Sequence, residues 1–310
     1  MTATEWLMLV ALSVVWGASF FFFKILVVEL PVFTIVLVRV TGAAIVLVAI
    51  VVLSRERLPR SRQTWIAFAL MGIFNNILPF SLIIWGESHI QSGLAAILNA
   101  TSPLFSVVLA HLWNRQERLT PNRVFGVLIG LVGVAVLIGP KALAGLNLTS
   151  LAQLAVIAAA ASYAWSAIFA RRFKVTEVPP LVTAAGQTLA AAVLVTPLAV
   201  WIDHPWTIAH TPSPAALGAM AGLIILSTVL AYIVYFRILA SAGATNALLV
   251  TFLTPVSALL LGGLILGERL SVGDVVGMLL IFVGLVTMDG RLLPGGLQGA
   301  SRSRRTVQQR

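Results

Sequence analysis

The amino-acid sequence predicts an all-α integral membrane protein with ten transmembrane helices, arranged as two inverted five-helix repeats around a central cavity. Three observations favour this fold. Of the 310 residues, 59% are hydrophobic and only 10% are charged, whereas soluble domains carry about 25% charged residues. The apolar residues fall into ten long runs. Finally, motifs in the first half of the chain recur in the same order in the second half.

The ten runs have the length that a bilayer requires. A hydrocarbon core about 30 Å thick is crossed by about 20 residues at a rise of about 1.5 Å per residue. The runs are continuous rather than alternating, which favours helices over the strands of a barrel, and the breaks between them carry charge or turn residues. The predicted spans are residues 6–27, 32–53, 65–85, 93–113, 123–139, 151–170, 181–201, 215–236, 245–266 and 272–288.

The positive charges predict how the chain lies in the membrane. With the N-terminus placed in the cytoplasm, the cytoplasmic links and the C-terminal tail hold sixteen Lys and Arg residues, the opposite side holds three, and Arg39 lies inside the second span. This bias follows the positive-inside rule. We therefore expect a multi-pass protein of the cell inner membrane with both termini in the cytoplasm. The net charge of +10 then reflects orientation and contact with the lipid bilayer rather than nucleic-acid binding.

Repeated motifs divide the chain into two halves. WGASF at Trp16 recurs as WSAIF at Trp165, 149 residues later. A block centred on Pro103 recurs around Pro255, and ERL at Glu117 recurs 151 residues later. Each half holds five spans, an odd number, so the second half enters the membrane from the opposite side. The predicted units are residues 1–140, residues 141–290 and a disordered basic cytoplasmic tail, residues 291–310.

These motifs resemble the EamA-type transporters of the drug/metabolite transporter superfamily. The resemblance covers nearly all ten spans and is clearest in LTPVSALLLGGLILGERL from Leu253, in SPLFSVVLAHLWNRQERL from Ser102, in WGASF, and in Pro31 followed by Arg39. It implies ten spans around a central cavity and export of small metabolites, with aromatic amino-acid exporters as one branch. The first block departs from the pattern, because it has Gln116 where the second has Gly267.

Polar residues inside the spans mark the candidate cavity, because a polar group in hydrocarbon must be buried in protein, paired or in contact with water. Pro79, Pro103 and Pro255 are predicted to kink their helices and free a backbone carbonyl. Such kinks are either satisfied by a neighbouring Ser or Thr, or they line the cavity, and we favour the cavity. The predicted substrate-binding residues are Trp16, Ser19, Asn75, Asn76, Asn99, Ser102, Tyr163, Trp165, Thr228, Tyr232, Thr251 and Thr254.

Arg39 is the one formal charge well inside a predicted span, and it has two interpretations. It is either a structural tie, for which Glu87 and Glu268 are the plausible partners, or an anchor for a substrate carboxylate. We favour the structural role, because Arg39 belongs to the pattern on which the family resemblance rests.

The remaining chemistry favours transport over catalysis. All acidic residues lie near span ends or in links, which argues against a proton relay at mid-depth. There is no cysteine and no P-loop, and the four histidines are scattered, so we expect no metal, no cofactor and no enzyme activity. The leading hypothesis is a facilitative, uniport-like secondary transporter that exports small amphiphilic metabolites by alternating access, with amino acids, aromatic or otherwise neutral, as the first choice. The alternative is a multidrug or other small-metabolite exporter of the same superfamily, with or without proton coupling.

The oligomeric state stays open between monomer and homodimer. Gly126/Gly130 and Gly273/Gly277 have the Gly-x-x-x-Gly spacing that permits close helix approach. We expect these glycines to pack the fifth span against the tenth within one chain, with a dimer contact as the alternative.

Overall fold

The computed structural model describes residues 2–113, 120–138, 147–208, 211–242 and 249–289, without the side chains of residues 113, 239, 240, 252 and 289. The predicted basic tail lies outside the described residues, as does Glu117. The described part of the chain is helical throughout, apart from short links.

Within the described ranges, eight helices are long and apolar enough to cross a membrane. They are α1 Ala3–Leu26, α2 Val32–Leu53, α3 Arg62–Glu87, α4 Ser92–Leu112, α5 Pro121–Ile138, α6 Leu148–Val175, α7 Pro180–Asp203 and α8 Pro214–Ile238. Two further helices follow, α9 Val250–Ile265 and α10 Val272–Asp289, whose apolar stretches are shorter. The all-helical membrane class is therefore confirmed, and length and composition support eight of the predicted spans.

Short polar motifs fix where several helices begin. At α1, Thr2 and Glu5 form a reciprocal capping box, and Ser271 and Asp274 make the equivalent pair of bonds at α10. The side chain of Asn147 accepts from the backbone N–H of Ser150 at the start of α6. These side chains satisfy backbone donors that have no partner within the helix.

Three helices contain π-helical turns, and one helix is broken. The π-helical segments are Ile73–Ile77 in α3, Ala199–Asp203 in α7 and Gly222–Leu230 in α8. Helix α4 consists of two pieces, Ser92–Asn99 and Ser102–Trp113. Because a π-turn inserts one extra residue, it displaces backbone carbonyls and changes which face later side chains occupy.

The outer surface of the bundle is apolar. Large side chains such as Leu7, Ile45 and Leu264 are between 67% and 82% exposed, an arrangement that would favour aggregation in water and is stable in lipid. Inside, Phe20, Phe23 and many Ile, Leu and Ala side chains from most of the helices form the largest buried cluster.

Helices α5 and α10 meet at a seam of glycines. A Cβ atom added at Gly126 would lie 2.5 Å from the carbonyl oxygen of Gly284, and one added at Gly133 would lie 2.8 Å from that of Gly277. The order of these contacts makes the two helices antiparallel. The predicted packing of the fifth span on the tenth within one chain is therefore observed, but Gly273 lies outside the seam.

The main contacts between helices occur in matching sets when α1 to α5 are paired in order with α6 to α10, that is, α1 with α6, α2 with α7 and so on. Helix α1 packs on α9 as α6 packs on α4, and α3 packs on α6 as α8 packs on α1. Likewise, α3 packs on α7 and α8 on α2, while α2 contacts α7, α4 contacts α9 and α5 contacts α10.

Carboxylates tie neighbouring helices together at the end of the bundle where α1, α3, α7 and α9 finish. Asp203, at the end of α7, accepts from the backbone N–H of Thr34 at 2.6 Å and from its hydroxyl at 3.0 Å. Glu29, which follows α1, accepts from the backbone N–H of Ser213 at 2.7 Å and also from its hydroxyl. We refer to this end, with Asp203, Glu29 and Glu268, as the capped end.

Candidate substrate-binding site

Arg39, in the first half of α2, places a charge inside the apolar bundle. Only 4% of the residue is exposed. Its Nε donates to the hydroxyl of Thr228 in α8 at 3.1 Å. Its guanidinium carbon lies 3.8 Å from the centre of the Phe80 ring and 5.0 Å from that of Phe23. Three other helices therefore contact this one side chain.

Two tyrosines complete the surroundings of Arg39. Tyr163 in α6 and Tyr232 in α8 are close enough to the guanidinium to interact with it electrostatically, and both are partly buried. Arg39 Nη1 is buried and has no hydrogen-bond partner among the described residues. The charge is thus surrounded by aromatic rings and hydroxyls, while one of its donors stays unused.

A second polar contact joins α3 to α7. Asn75 Nδ2 donates to Gln187 Oε1 at 3.2 Å, and Gln187 Nε2 donates to the Tyr232 hydroxyl at 3.4 Å. Tyr232 therefore joins this pair to α8, the helix whose Thr228 accepts from Arg39. We call Arg39, Asn75, Gln187, Thr228 and Tyr232 the polar centre.

Two residues of the polar centre lie in π-turns, one in α3 and one in α8. Asn75 lies in Ile73–Ile77 and Thr228 in Gly222–Leu230. Each π-turn also forms a hydrogen bond with a neighbouring helix. Ser162 in α6 donates to the carbonyl of Phe74 in the π-turn of α3 at 2.6 Å, and Ser227 in the π-turn of α8 donates to the carbonyl of Val15 in α1 at 2.9 Å. The helix pairs α3/α6 and α8/α1 are thus joined by bonds of the same kind.

Asn76 is completely buried beside Asn75. Neither its amide nitrogen nor its amide oxygen has a hydrogen-bond partner among the described residues. An unpaired buried amide costs about 1–3 kcal/mol. Its place in the same π-turn as Asn75 puts this unused donor and acceptor next to the polar centre in the sequence.

The proline kinks differ between α4 and α9. Before Pro103, α4 breaks, and the freed carbonyl of Asn99 accepts from the hydroxyl of Ser102 at 2.7 Å. Helix α9 continues through Pro255, and Thr254 donates to the carbonyl of Val250 at 2.8 Å. The kink of α4 is therefore satisfied by a neighbouring serine, although the side-chain oxygen of Asn99 is buried and unpartnered in the described structure.

The repeat-related tryptophans contact aromatic rings of their neighbours. Trp16 lies 5.6 Å from Tyr235 between ring centres, and Trp165 lies 4.4 Å from Phe74 and 4.7 Å from Phe169. Because Phe74 precedes Asn75, the Trp165 stack adjoins the polar centre along α3.

The carboxylates proposed as partners of Arg39 lie at the capped end. Glu268 accepts from the backbone N–H of Ser92 at 2.9 Å and from that of Gly93 at 3.2 Å, and so caps α4. Glu87 is fully buried, and its carboxylate has no hydrogen bond with a described residue. Lys24 donates to the backbone carbonyl of Glu87 at 2.6 Å. The hydrogen bond of Arg39 goes to Thr228 instead, so the tie that the structure contains is to a hydroxyl.

Of the predicted binding residues, Thr228 accepts a hydrogen bond from Arg39, Tyr163 and Tyr232 lie near its guanidinium, and Asn75 is connected to Tyr232 through Gln187. The other predicted residues lie outside this group: Trp16, Ser19, Asn76, Asn99, Ser102, Trp165, Thr251 and Thr254, with the prolines Pro79, Pro103 and Pro255 in α3, α4 and α9. Gln187 was missed, although it is an amide inside a predicted span and lies 148 residues after Arg39, close to the repeat offset of the tryptophans.

A separate groove of about 400 Å³ lies between α2 and α7. It is lined by Thr41, Ala44, Ile45, Val48, Ala49, Leu189 and Ala192, and so by none of the predicted binding residues. Within the described ranges, no three His, Asp or Glu side chains are grouped so that they could hold a metal ion.

Comparison with known proteins identifies the family. The profile of the EamA-like transporter family matches residues 4–139 and matches again over residues 150–288. The chain belongs to the EamA-like transporter family. It is therefore a membrane transporter, and the resemblance found in its motifs is confirmed.

Relatives of this EamA-like protein are similar over nearly their whole length. It is 27% identical to the uncharacterized inner membrane transporter YedA of Escherichia coli K12, over 92% of this chain and 91% of that one. It is 23% identical to the uncharacterized transporter YoaV of Bacillus subtilis, over 89% and 94%, and 28% identical to protein PecM of Dickeya dadantii, over 89% of each. A solved protein structure shares the fold with a TM-score of 0.64, 22% identity, and coverage of 93% and 96%.

Proposed function

We propose that this protein is a secondary transporter that exports small amphiphilic metabolites, with amino acids, aromatic or otherwise neutral, as the first choice. Ten spans form two inverted five-helix repeats, and substrate crosses by alternating access at the polar centre. The observation that carries this proposal is the polar centre itself, where residues from both halves of an apolar bundle converge on one buried position.

Two observations support the inverted arrangement. The family profile matches the chain twice, with one match in each proposed repeat. The repeat-equivalent helices α5 and α10 are antiparallel at the seam, where Gly126 meets Gly284 and Gly133 meets Gly277. Equivalent helices that run in opposite directions are what an inverted repeat requires, and such transporters bind substrate where the two repeats meet.

The chemistry of the polar centre supports an amphiphilic substrate. Aromatic rings and neutral hydrogen-bonding groups surround Arg39, and such sites hold the apolar part of a small molecule by contact area and its polar part by a few placed bonds. Within the polar centre, no side chain is acidic, so a free metal cation or a polyamine would find no anionic ligand.

The absence of an acidic side chain from the polar centre also supports facilitative transport. Proton-driven transporters commonly use an intramembrane Asp, Glu or His as the proton carrier. The polar centre contains only Arg39, Asn75, Gln187, Thr228 and Tyr232, none of which exchanges protons near neutral pH. Substrate would then move down its own gradient, through an inner membrane like that named for YedA.

Counterflow in proteoliposomes tests the proposal. Vesicles that contain purified protein are loaded with unlabelled phenylalanine, tryptophan, leucine, a nucleoside or a sugar, and the entry of the labelled compound is measured. We expect exchange of the aromatic amino acids first, with no accumulation against a gradient when only a pH difference is imposed. Exchange of dyes and drugs but not of amino acids would favour the multidrug alternative, and pH-driven accumulation would exclude the facilitative mechanism.

A further inference from the structure

Arg39 carries a buried charge that the structure does not neutralise. The residue is only 4% exposed, its one hydrogen bond goes to the neutral hydroxyl of Thr228, and Nη1 has no partner among the described residues. A guanidinium stays protonated in proteins. A charge held in the membrane interior is costly unless it is paired.

The aromatic rings compensate only part of this cost. The faces of Phe80 and Phe23 attract the guanidinium at 3.8 and 5.0 Å, which stabilises the positive charge. A ring face beside the guanidinium carbon does not satisfy the in-plane N–H of Nη1. The donor that remains therefore requires an acceptor, and an anionic acceptor would satisfy both the charge and the hydrogen bond.

The second half of the chain contains an internal comparison. Gln187 in α7 lies 148 residues after Arg39 in α2, and it contacts the π-turn of α3 through Asn75 as Arg39 contacts the π-turn of α8 through Thr228. A neutral amide thus joins α7 to α3 in the way that Arg39 joins α2 to α8. The tie by itself does not require a positive charge at residue 39.

We propose that Arg39 binds the carboxylate of the transported molecule. Arg39 Nη1 donates to a carboxylate oxygen, and the rings of Tyr163 and Tyr232, which lie near the guanidinium, hold the apolar part of the same molecule. This inference deepens the proposed function and rests on it, because it specifies that substrates carry a carboxylate, as zwitterions or as monoanions. It changes the role of Arg39 from the structural tie that the sequence favoured to a binding residue.

Two pairs of probes isolate the carboxylate. Phenylacetate and phenylacetamide differ only in this group and lack an amino group, while phenylalanine and phenylalaninamide add the amine. Counterflow of each probe is measured in proteoliposomes, and binding is measured separately as the shift in melting temperature of the purified protein. Wild type is expected to prefer each carboxylate over its amide by about tenfold or more, the usual gain for a hydrogen bond between charged groups.

Three variants separate binding from structure. Arg39→Gln installs a neutral amide like that of Gln187 and should bring the carboxylate-to-amide ratio to within twofold of one while amide transport persists. Arg39→Lys keeps the charge and should retain part of the preference. Arg172→Gln is the matched control, because Arg172 also lies over a ring, that of Phe169 at 4.7 Å, but is exposed; it should leave the ratio unchanged.

The outcomes distinguish the inference from the proposed function. Equal loss of carboxylate and amide transport in Arg39→Gln, with a lower melting temperature and an unchanged ratio, would assign Arg39 a purely structural role. A wild-type protein without carboxylate preference would overturn the inference even if no variant folds. If no amino acid is exchanged but phenylacetate still stabilises wild type and not Arg39→Gln, the amino-acid proposal fails and the carboxylate site stands.

Discussion

At the scale of single residues, the amide pair Asn75 and Gln187 connects the two halves of the chain inside the bundle. Their hydrogen bond of 3.2 Å joins α3 to α7, and Gln187, like Thr228, is at least 97% buried. In a membrane protein, a bond between buried side chains on different helices contributes about 0.6 kcal/mol on average and up to about 1.7 kcal/mol.

A double-mutant cycle on Asn75→Ala and Gln187→Ala measures this link. Each single variant should lower transport several-fold, because it leaves the other amide unpaired in the proposed binding site. The double variant should lose little more than the worse single variant. The coupling free energy from unfolding should be about 0.5 to 1.7 kcal/mol. Thr287→Ala, which removes an exposed hydroxyl bonded to its own helix, is the control; additive losses would show that the amides act separately.

The sequence predicted the residue types of this site better than their arrangement. Asn75, Thr228 and Tyr232 were selected as polar or amphipathic groups inside predicted spans, and the structure brings them to Arg39. Which faces they occupy depends on π-turns in α3 and α8, and a π-turn leaves no mark in a pattern read with 3.6 residues per turn. Gln187 carried one sequence signal, because it is an amide inside a predicted span, one residue before the position that the tryptophan offset of 149 assigns to Arg39.

At the scale of helices, the glycine seam sets how closely α5 and α10 approach. Both Gly133 and Gly277 face backbone atoms of the opposite helix at less than 3.0 Å from an added Cβ. Without side chains between them, the two backbones gain van der Waals contact along the seam. The repeat offset of 151 residues between Gly126 and Gly277, and between Gly133 and Gly284, predicted these residues as equivalent but not that they face each other.

Substitution at the seam should therefore separate the helices. We expect Gly133→Leu to cost about 1–3 kcal/mol or more, because the new side chain meets backbone atoms that cannot move aside, and to lower the melting temperature of the purified protein by several degrees. Gly218→Leu is the matched control, since a Cβ there has nothing within 4 Å. Equal melting temperatures for the two variants would mean that the seam is not tightly packed.

The two prolines show that local sequence does not predict whether a helix breaks or continues at a proline. Pro103 and Pro255 occupy equivalent places in matching motifs, yet α4 breaks before Pro103 and α9 continues through Pro255. A proline always removes one donor, but neighbouring packing decides whether the helix breaks or bends. In α4, the hydroxyl of Ser102 satisfies the carbonyl that the break exposes; the second repeat has Thr254 there, which bonds to the carbonyl of Val250.

At the scale of the whole molecule, the distribution of Lys and Arg predicts that both termini lie in the cytoplasm. The chain contains no cysteine, so single introduced cysteines report their side of the membrane without background. In intact cells, a membrane-impermeant maleimide should label Ser88→Cys, an exposed position at the capped end, and should not label Thr2→Cys or Ser303→Cys until the membrane is permeabilised. Labelling of one terminus but not the other would exclude two five-helix repeats.

The carboxylates of the capped end also decide how that end can open. Asp203, Glu29 and Glu268 accept hydrogen bonds from the first residues of α2, α8 and α4. If these helices separate, each carboxylate loses its donors, and only water can replace them without a large desolvation cost. The helices can therefore separate only as water enters the crevice between them. A molecule that passes through this end then leaves by an aqueous route rather than sideways into the lipid.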